Sequence, residues 1–190
     1  MPNPAVSESD VSLEPDSPED RTNMTEADCE SLTWVHPFDL TSDHILADAR
    51  WVPFITDNLR QDLNKMLQAL ETDIAYTAEG FGCCWTTNDA LQSLNHKFRD
   101  KDKPTNVLSF PDETEGQLGD LAFGYEIIAQ EAASLDIPLD HHIRHLLIHG
   151  LLHLYGFDHV DDEEAQEMEA LEIKALAHLQ IPNPYQGELV

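Results

Sequence analysis

Large apolar side chains are nearly absent from residues 1–30 and return at about Ser31. From there the hydrophobic period switches several times between that of a strand and that of a helix. The run Ile45–Phe54 predicts a strand followed by a turn at Pro53. In residues 55–70, Ile55, Leu59, Leu63, Met66, Leu67 and Leu70 fall on one helical face. Residues 73–87 read as one strand, or as a hairpin broken by Gly80 and Gly82. Asn88 or Asp89 then caps a short helix with Leu91, Leu94 and Phe98 inward. The segment 105–110 (TNVLSF) predicts a buried strand stopped by Pro111, and a second strand lies near 119–124, followed by a helix over 125–135. Pro138 and Asp140 open a helix that runs to about Tyr155 and ends at Gly156. The final helix covers 162–179, with Met168, Leu171, Ala175 and Leu179 as its stripe and Asp161–Glu164 at the favourable end of its dipole. Strands and helices mix without a strict βαβ rhythm. The expectation is a single α+β domain, one mixed sheet packed by helices, with the chemistry on a helix and the turn after it.

Composition sets the limits. The 190 residues suit one domain, residues 31–190, behind a tail at 1–30. That tail holds nine acidic side chains against Arg21, and four of the 11 prolines. It cannot bury enough surface to offset its ordering entropy, so disorder is expected. The whole chain carries 37 acidic and 10 basic side chains, a formal net charge of -27. This excludes a bulk cationic nucleic-acid binder but allows a local basic patch. No apolar run approaches the ~18 residues of a membrane span, and no basic segment precedes an apolar run at the start, so no membrane association is expected. Three cysteines, Cys29, Cys83 and Cys84, give no disulfide framework or CxxC site. Cys83 and Cys84 point to opposite faces if they lie on a strand, which suits packing. A reducing, cytoplasmic setting follows as the expectation.

Residues 149–159 read HGLLHLYGFDH. His149 and His153 are four apart on one helix, so their rings project from the same face. Gly156 lets the chain turn back, and His159 follows six residues after His153. Three imidazoles leave the fourth tetrahedral position open, the pattern of a catalytic rather than a structural zinc site. Ni²⁺ or Cu²⁺ could bind the same donors in vitro. Metzincin proteases share the spacing, as HExxHxxGxxH, but place a general base where this chain has Gly150. A zinc peptidase-like hydrolase would need a proton acceptor from elsewhere. His145 extends the stripe by one turn, either as a partner of the ligands or as a packed residue. His141 and His142 are expected to be solvated, and His36, His44, His96 and His178 carry no spacing signal. Asp158 could orient a ligand ring or simply stabilise the turn. Residues 95–106 read NHKFRDKDKPTN and gather Lys97, Arg99, Lys101 and Lys103, four of the 10 basic residues. They are either a solvated loop or a phosphate contact, for which Arg supplies a planar fork.

The two segments together resemble the YbeY family of metal-dependent endoribonucleases that mature ribosomal RNA. Its signatures are similar to HGxLHLxGYDH and LNxxYRxKDxPTDVLSFP, against HGLLHLYGFDH and LNHKFRDKDKPTNVLSFP here. Phe157 and Phe98 stand where tyrosine is usual, and Asn106 where aspartate is usual. Gly119–Asp120 and Glu131–Ala132 also follow the family's order, and the likeness covers roughly residues 40–180. It implies an α+β domain with one Zn²⁺ held by His149, His153 and His159, and a functional arginine at Arg99. It implies cleavage of single-stranded RNA, in 16S ribosomal RNA 3′-end maturation and ribosome quality control. Ribosomal RNA rather than DNA is the implied partner, with ribosomal proteins or an assembly GTPase beside it. The attacking group is either metal-delivered hydroxide or the RNA's own 2′-hydroxyl. A non-catalytic, zinc-containing ribosome-assembly factor is the other reading.

Overall fold

The computed structural model describes residues 29–75 and 78–186. Of the tail expected over 1–30, residues 1–28 lie outside them, and Glu30 already opens the first strand, so the expected boundary at Ser31 comes one residue late. Five strands and five α-helices follow in the order β1 (Glu30–Val35), β2 (Thr41–Leu46), α1 (Asp57–Ala69), β3 (Gly80–Thr86), α2 (Asn88–Arg99), β4 (Val107–Pro111), β5 (Gln117–Gly124), α3 (Tyr125–Ser134), α4 (Leu139–Leu154) and α5 (Asp162–Ala177). The sheet order is β1-β2-β3-β5-β4. β2, β3 and β5 are parallel, while β1 and β4 run antiparallel at the two edges. The sheet is therefore mixed and the fold α+β, as the sequence pattern implies.

Alternation along the strands divides the apolar residues between two faces. Leu121 and Phe123 of β5 join the main core with α1, α4 and α5. Ala122, between them, faces the other way and packs with Leu91 of α2 and Leu108 of β4. Helix α4 is buried on most of its circumference because it meets β4, β5, α1, α3 and α5. A Cβ at Gly150 would sit 3.0 Å from Leu121 and 3.3 Å from Val107. The missing side chain is what lets α4 lie this close to the sheet, and position 150 faces strands rather than solvent.

Several expectations are corrected. The strand placed over 45–54 lies earlier, over Thr41–Leu46, and a 3-10 turn at Ala49–Trp51 follows it. Its inward residues include Ser42 and His44, both 0% exposed, so apolar alternation is a poor guide there. β1 had no strand-like signature because Trp34 is its one buried residue. Over 73–87 the strand is confined to β3, which Gly80 opens with a register shift against β5 before Phe81 and which Gly82 does not break. Thr87, not Asn88 or Asp89, caps α2 by accepting the Ala90 N–H. Phe98 is not inward: it is 58% exposed and meets Phe110 edge-on.

Candidate metal centre

The C-terminal half of α4 carries His149 and His153 on successive turns. Gly156, at φ +91°, then reverses the chain in a conformation that favours glycine, and this brings His159 back over the helix. One ring nitrogen from each of the three histidines lies within 4.8 Å of the other two. The sequence spacing and the structure therefore select the same three residues as a set that could hold a metal ion.

Hydrogen bonds on the far side of two rings fix what the near side presents. His153 Nδ1 donates to the Phe157 carbonyl at 2.9 Å. His149 Nδ1 donates to Glu172 Oε1 at 2.8 Å. A carbonyl and an ionised carboxylate only accept, so in the neutral rings both protons sit on Nδ1 and both Nε2 atoms keep bare lone pairs. Those two Nε2 atoms face each other at 3.2 Å. Two lone pairs at that distance repel unless a cation lies between them. Tetrahedral ligation with metal–nitrogen bonds of ~2.0–2.1 Å separates neighbouring nitrogens by roughly 3.3 Å. The donor set thus fits a metal of the zinc class. Burial, with the repulsion that a proton on His149 would add, holds the His153 pKa below the ordinary imidazole value, so that ring stays neutral.

Glu172 of α5 escaped the sequence reading. It is 1% exposed and accepts from His145 at 2.6 Å as well as from His149. Burial alone would raise its pKa, but the bonds from His145 and His149 outweigh this and hold it at about 2. A signal existed, since position 172 falls inside the apolar stripe of Met168, Leu171, Ala175 and Leu176. An acid on that face needs a buried partner. His145 therefore shares with His149 one buried carboxylate. His142 is not solvated: it is 5% exposed and bonded to Glu131 at 2.8 Å. His141 is half-buried. Asp158 mainly makes the turn, accepting the His159 N–H at 2.8 Å, while its carboxylate stays 3.9 Å from His153 Nδ1. Asn106, in place of the family's aspartate, donates to Glu131 at 3.2 Å, where a second carboxylate would be repelled.

The three histidines line a cleft of about 510 Å³ together with Arg99, Asn106 and Ser109. Arg99 ends α2, and Nη2 donates to the Ser109 carbonyl at 3.0 Å. The following loop is tied down by Asn95, whose side chain donates to the Lys103 carbonyl at 2.8 Å. Lys97, Lys101 and Lys103 are exposed and do not line the cleft. Charge pairing is uneven along the chain. Arg50, Arg60, Lys65, Arg144 and Lys174 each pair with a carboxylate. Among the described residues, Lys97, Arg99, Lys101 and Lys103 are the cations without such a partner. No helix among the described residues is long and apolar enough to cross a membrane.

The family model of Endoribonuclease YbeY matches residues 47–180. An Endoribonuclease YbeY of Chromohalobacter salexigens is 53% identical over 106 residues, covering 53% of this chain and 69% of that protein. One of Bradyrhizobium is 50% identical over 110 residues, 52% of this chain and 65% of that protein. One of Erythrobacter litoralis is 46% identical over 134 residues, 64% of this chain and 83% of that protein. The solution structure of TM1509 from Thermotoga maritima is similar with a TM-score of 0.49 and 23% identity, over 74% of this chain and 93% of that one. With both signature segments inside the matched span, and the three histidines and Arg99 around one cleft, the chain belongs to the Endoribonuclease YbeY family.

Proposed function

We propose that this protein is a zinc-dependent endoribonuclease that cleaves single-stranded RNA, with His149, His153 and His159 as metal ligands and Arg99 as a catalytic residue. The observation that carries this reading is the pair of His149 and His153 Nε2 atoms 3.2 Å apart, free of protons in the neutral rings, in the cleft that Arg99 also lines. Such a pair asks for a cation, and the arginine beside it suits a phosphodiester. When bound, the metal supplies Lewis-acid chemistry at a phosphoryl oxygen. The chain's own residues do the rest. Arg99 is anchored through one N–H on the Ser109 carbonyl. Its remaining donors are free to bind phosphate oxygens and to stabilise the charge that grows on them. The anchor reduces the rotamer freedom lost on binding. Gly150 offers no general base, and a side chain there would meet Leu121 and Val107. This disfavours a peptidase mechanism that depends on that position.

The physiological substrate in this reading is ribosomal RNA of the small subunit, in 16S 3′-end maturation and ribosome quality control in the cytoplasm. Ribosomal proteins or an assembly GTPase would deliver an acidic enzyme to an acidic substrate. The test measures metal content beside cleavage of a ribosomal RNA fragment, for wild type, His153→Ala and Arg99→Ala. One equivalent of zinc in wild type, with cleavage lost in both variants and zinc retained in Arg99→Ala, is expected. Removing one such donor costs roughly 10²–10³-fold in turnover. A 3′-hydroxyl product assigns attack to water, and a 2′,3′-cyclic phosphate assigns it to the 2′-hydroxyl. Cleavage unchanged in both variants would overturn the proposal.

A further inference from the structure

We propose that Glu172 is the positioning residue of the metal centre: its buried carboxylate fixes His149 in the Nδ1–H tautomer and so leaves Nε2 available for the metal. The inference rests on the reading of the three histidines as ligands. Glu172 comes from α5, a different helix from the two histidines it touches, so it joins the centre to the core. Its two oxygens are used separately. Oε1 takes the His149 Nδ1 proton at 2.8 Å, and Oε2 takes the His145 Nε2 proton at 2.6 Å and the Tyr185 hydroxyl proton. Three donors thus surround an acceptor that is 1% exposed, and water has little access to substitute for any of them. The carboxylate cannot rotate to release His149 without stranding another donor.

An isosteric amide exposes the demand. Gln at 172 has one acceptor oxygen and one NH₂ group. If the oxygen faces His149, the NH₂ meets the His145 N–H. If the oxygen faces His145, the NH₂ confronts His149 Nδ1 and drives that ring's proton to Nε2, the atom the metal needs. The first keeps the ligating tautomer only if His145 gives up its Nε2 proton, the second loses it, and both replace a charged acceptor with a weaker neutral one. His153 is not exposed to this effect, because its Nδ1 proton is held by the Phe157 carbonyl. The disturbance is therefore confined to one of the three ligands.

The experiment has two parts, neither of which depends on turnover. Long-range ¹H–¹⁵N correlation spectra of the metal-free wild-type protein report the tautomer of each histidine. His149 is expected as Nδ1–H, and an Nε2–H tautomer overturns the proposal without any variant. Zinc affinity is then measured by competition with a chromophoric chelator for wild type, Glu172→Gln and the double variant Glu172→Gln with His145→Phe. Partners of this kind contribute about 10–100-fold to metal affinity. Glu172→Gln is expected to lose affinity in that range. The double variant removes the competing donor and is expected to recover part of the loss, which a merely structural role for Glu172 would not produce. Glu172→Gln with zinc affinity within twofold of wild type overturns the inference alone. Wild-type protein that takes up no zinc overturns the metal reading and this inference with it.

Discussion

A chain of buried polar groups beneath β1 and β2 predicts how the fold responds to acid. Trp85 Nε1 donates to His44 Nδ1 at 3.0 Å, and His44 Nε2 donates to Ser42 Oγ at 2.8 Å. Ser42 in turn donates to His36 Nε2 at 2.7 Å, and His36 Nδ1 donates to Asn64 Oδ1 at 2.6 Å. Every proton in this sequence has one direction, and both imidazoles are neutral. A second proton on His44 would have to displace the Trp85 N–H. Burial, with the repulsion that a proton on His36 would add, lowers the His44 pKa from 6.5 to about 3. The unfolded chain therefore binds a proton at this residue between those two values while the native protein does not. Stability from this group is complete above pH 6.5 and is lost as the pH falls toward 3. A single such proton is worth ~1.4 kcal/mol per pH unit, so His44 accounts for about 2.5 kcal/mol between pH 7.5 and 4.5. Urea unfolding at those two pH values, on wild type and His44→Phe, isolates the effect. The variant is less stable at both, because it strands the buried Trp85 N–H. Its stability falls about 2.5 kcal/mol less on acidification. Relief of repulsion in a chain of charge -27 acts on both proteins and cancels in the difference. Equal falls in the two proteins would refute the assignment of His44 as the acid-sensitive group.

Other expectations test the site's supports. Asp161 accepts the Glu163 and Glu164 N–H groups at 3.0 Å each, and Asp161→Ala should cost ~1 kcal/mol of stability in chemical denaturation. Gly156→Ala places a Cβ in open space but keeps φ at +91°, so it should lose about 1–2 kcal/mol and weaken zinc binding as His159 shifts. If the four unpaired cations of residues 97–103 contact RNA phosphates, binding to single-stranded RNA should fall with salt at a log–log slope no steeper than about -3. Replacing Lys97, Lys101 and Lys103 together with Gln should flatten that slope, and an unchanged slope would place the RNA elsewhere.

How much of this was legible depends on where each element puts its polar residues. The stripe of α1 was plain because every inward position is apolar. The three clustered histidines were plain because two histidines on one helical face and a glycine turn specify a geometry by themselves. β2 was hidden because Ser42 and His44, polar residues, occupy its buried positions. His142 was hidden because its partner, Glu131, lies on another helix. Glu172 was hidden by abundance: one acid among 37 acidic residues attracts no notice unless its helical phase is read first. Phe98 continues the stripe of α2 in phase, yet its ring meets Phe110 rather than the buried cluster of Leu91, Leu108 and Ala122. Periodicity assigns a face but not how far the neighbouring element extends beneath it.

The charge pattern gives the proposed function its physical coherence. A net charge of -27 opposes any approach to RNA at long range. The five cations paired to carboxylates lie at other points of the fold, where neutralised pairs do little to attract phosphate. Among the described residues the four unpaired ones follow one another at the end of α2 and in the loop after it, and Arg99 among them lines the cleft of the three histidines. A phosphodiester chain that reaches this protein is therefore favoured in one place and repelled around it. Weak total attraction and strong local preference are compatible: the first governs how often free RNA is captured, the second where a presented strand settles. Under the proposed function, such a charge pattern suits RNA that is held near the cleft by another surface. It also gives discrimination, because a strand that is not so presented meets a repulsive surface at nearly every other approach.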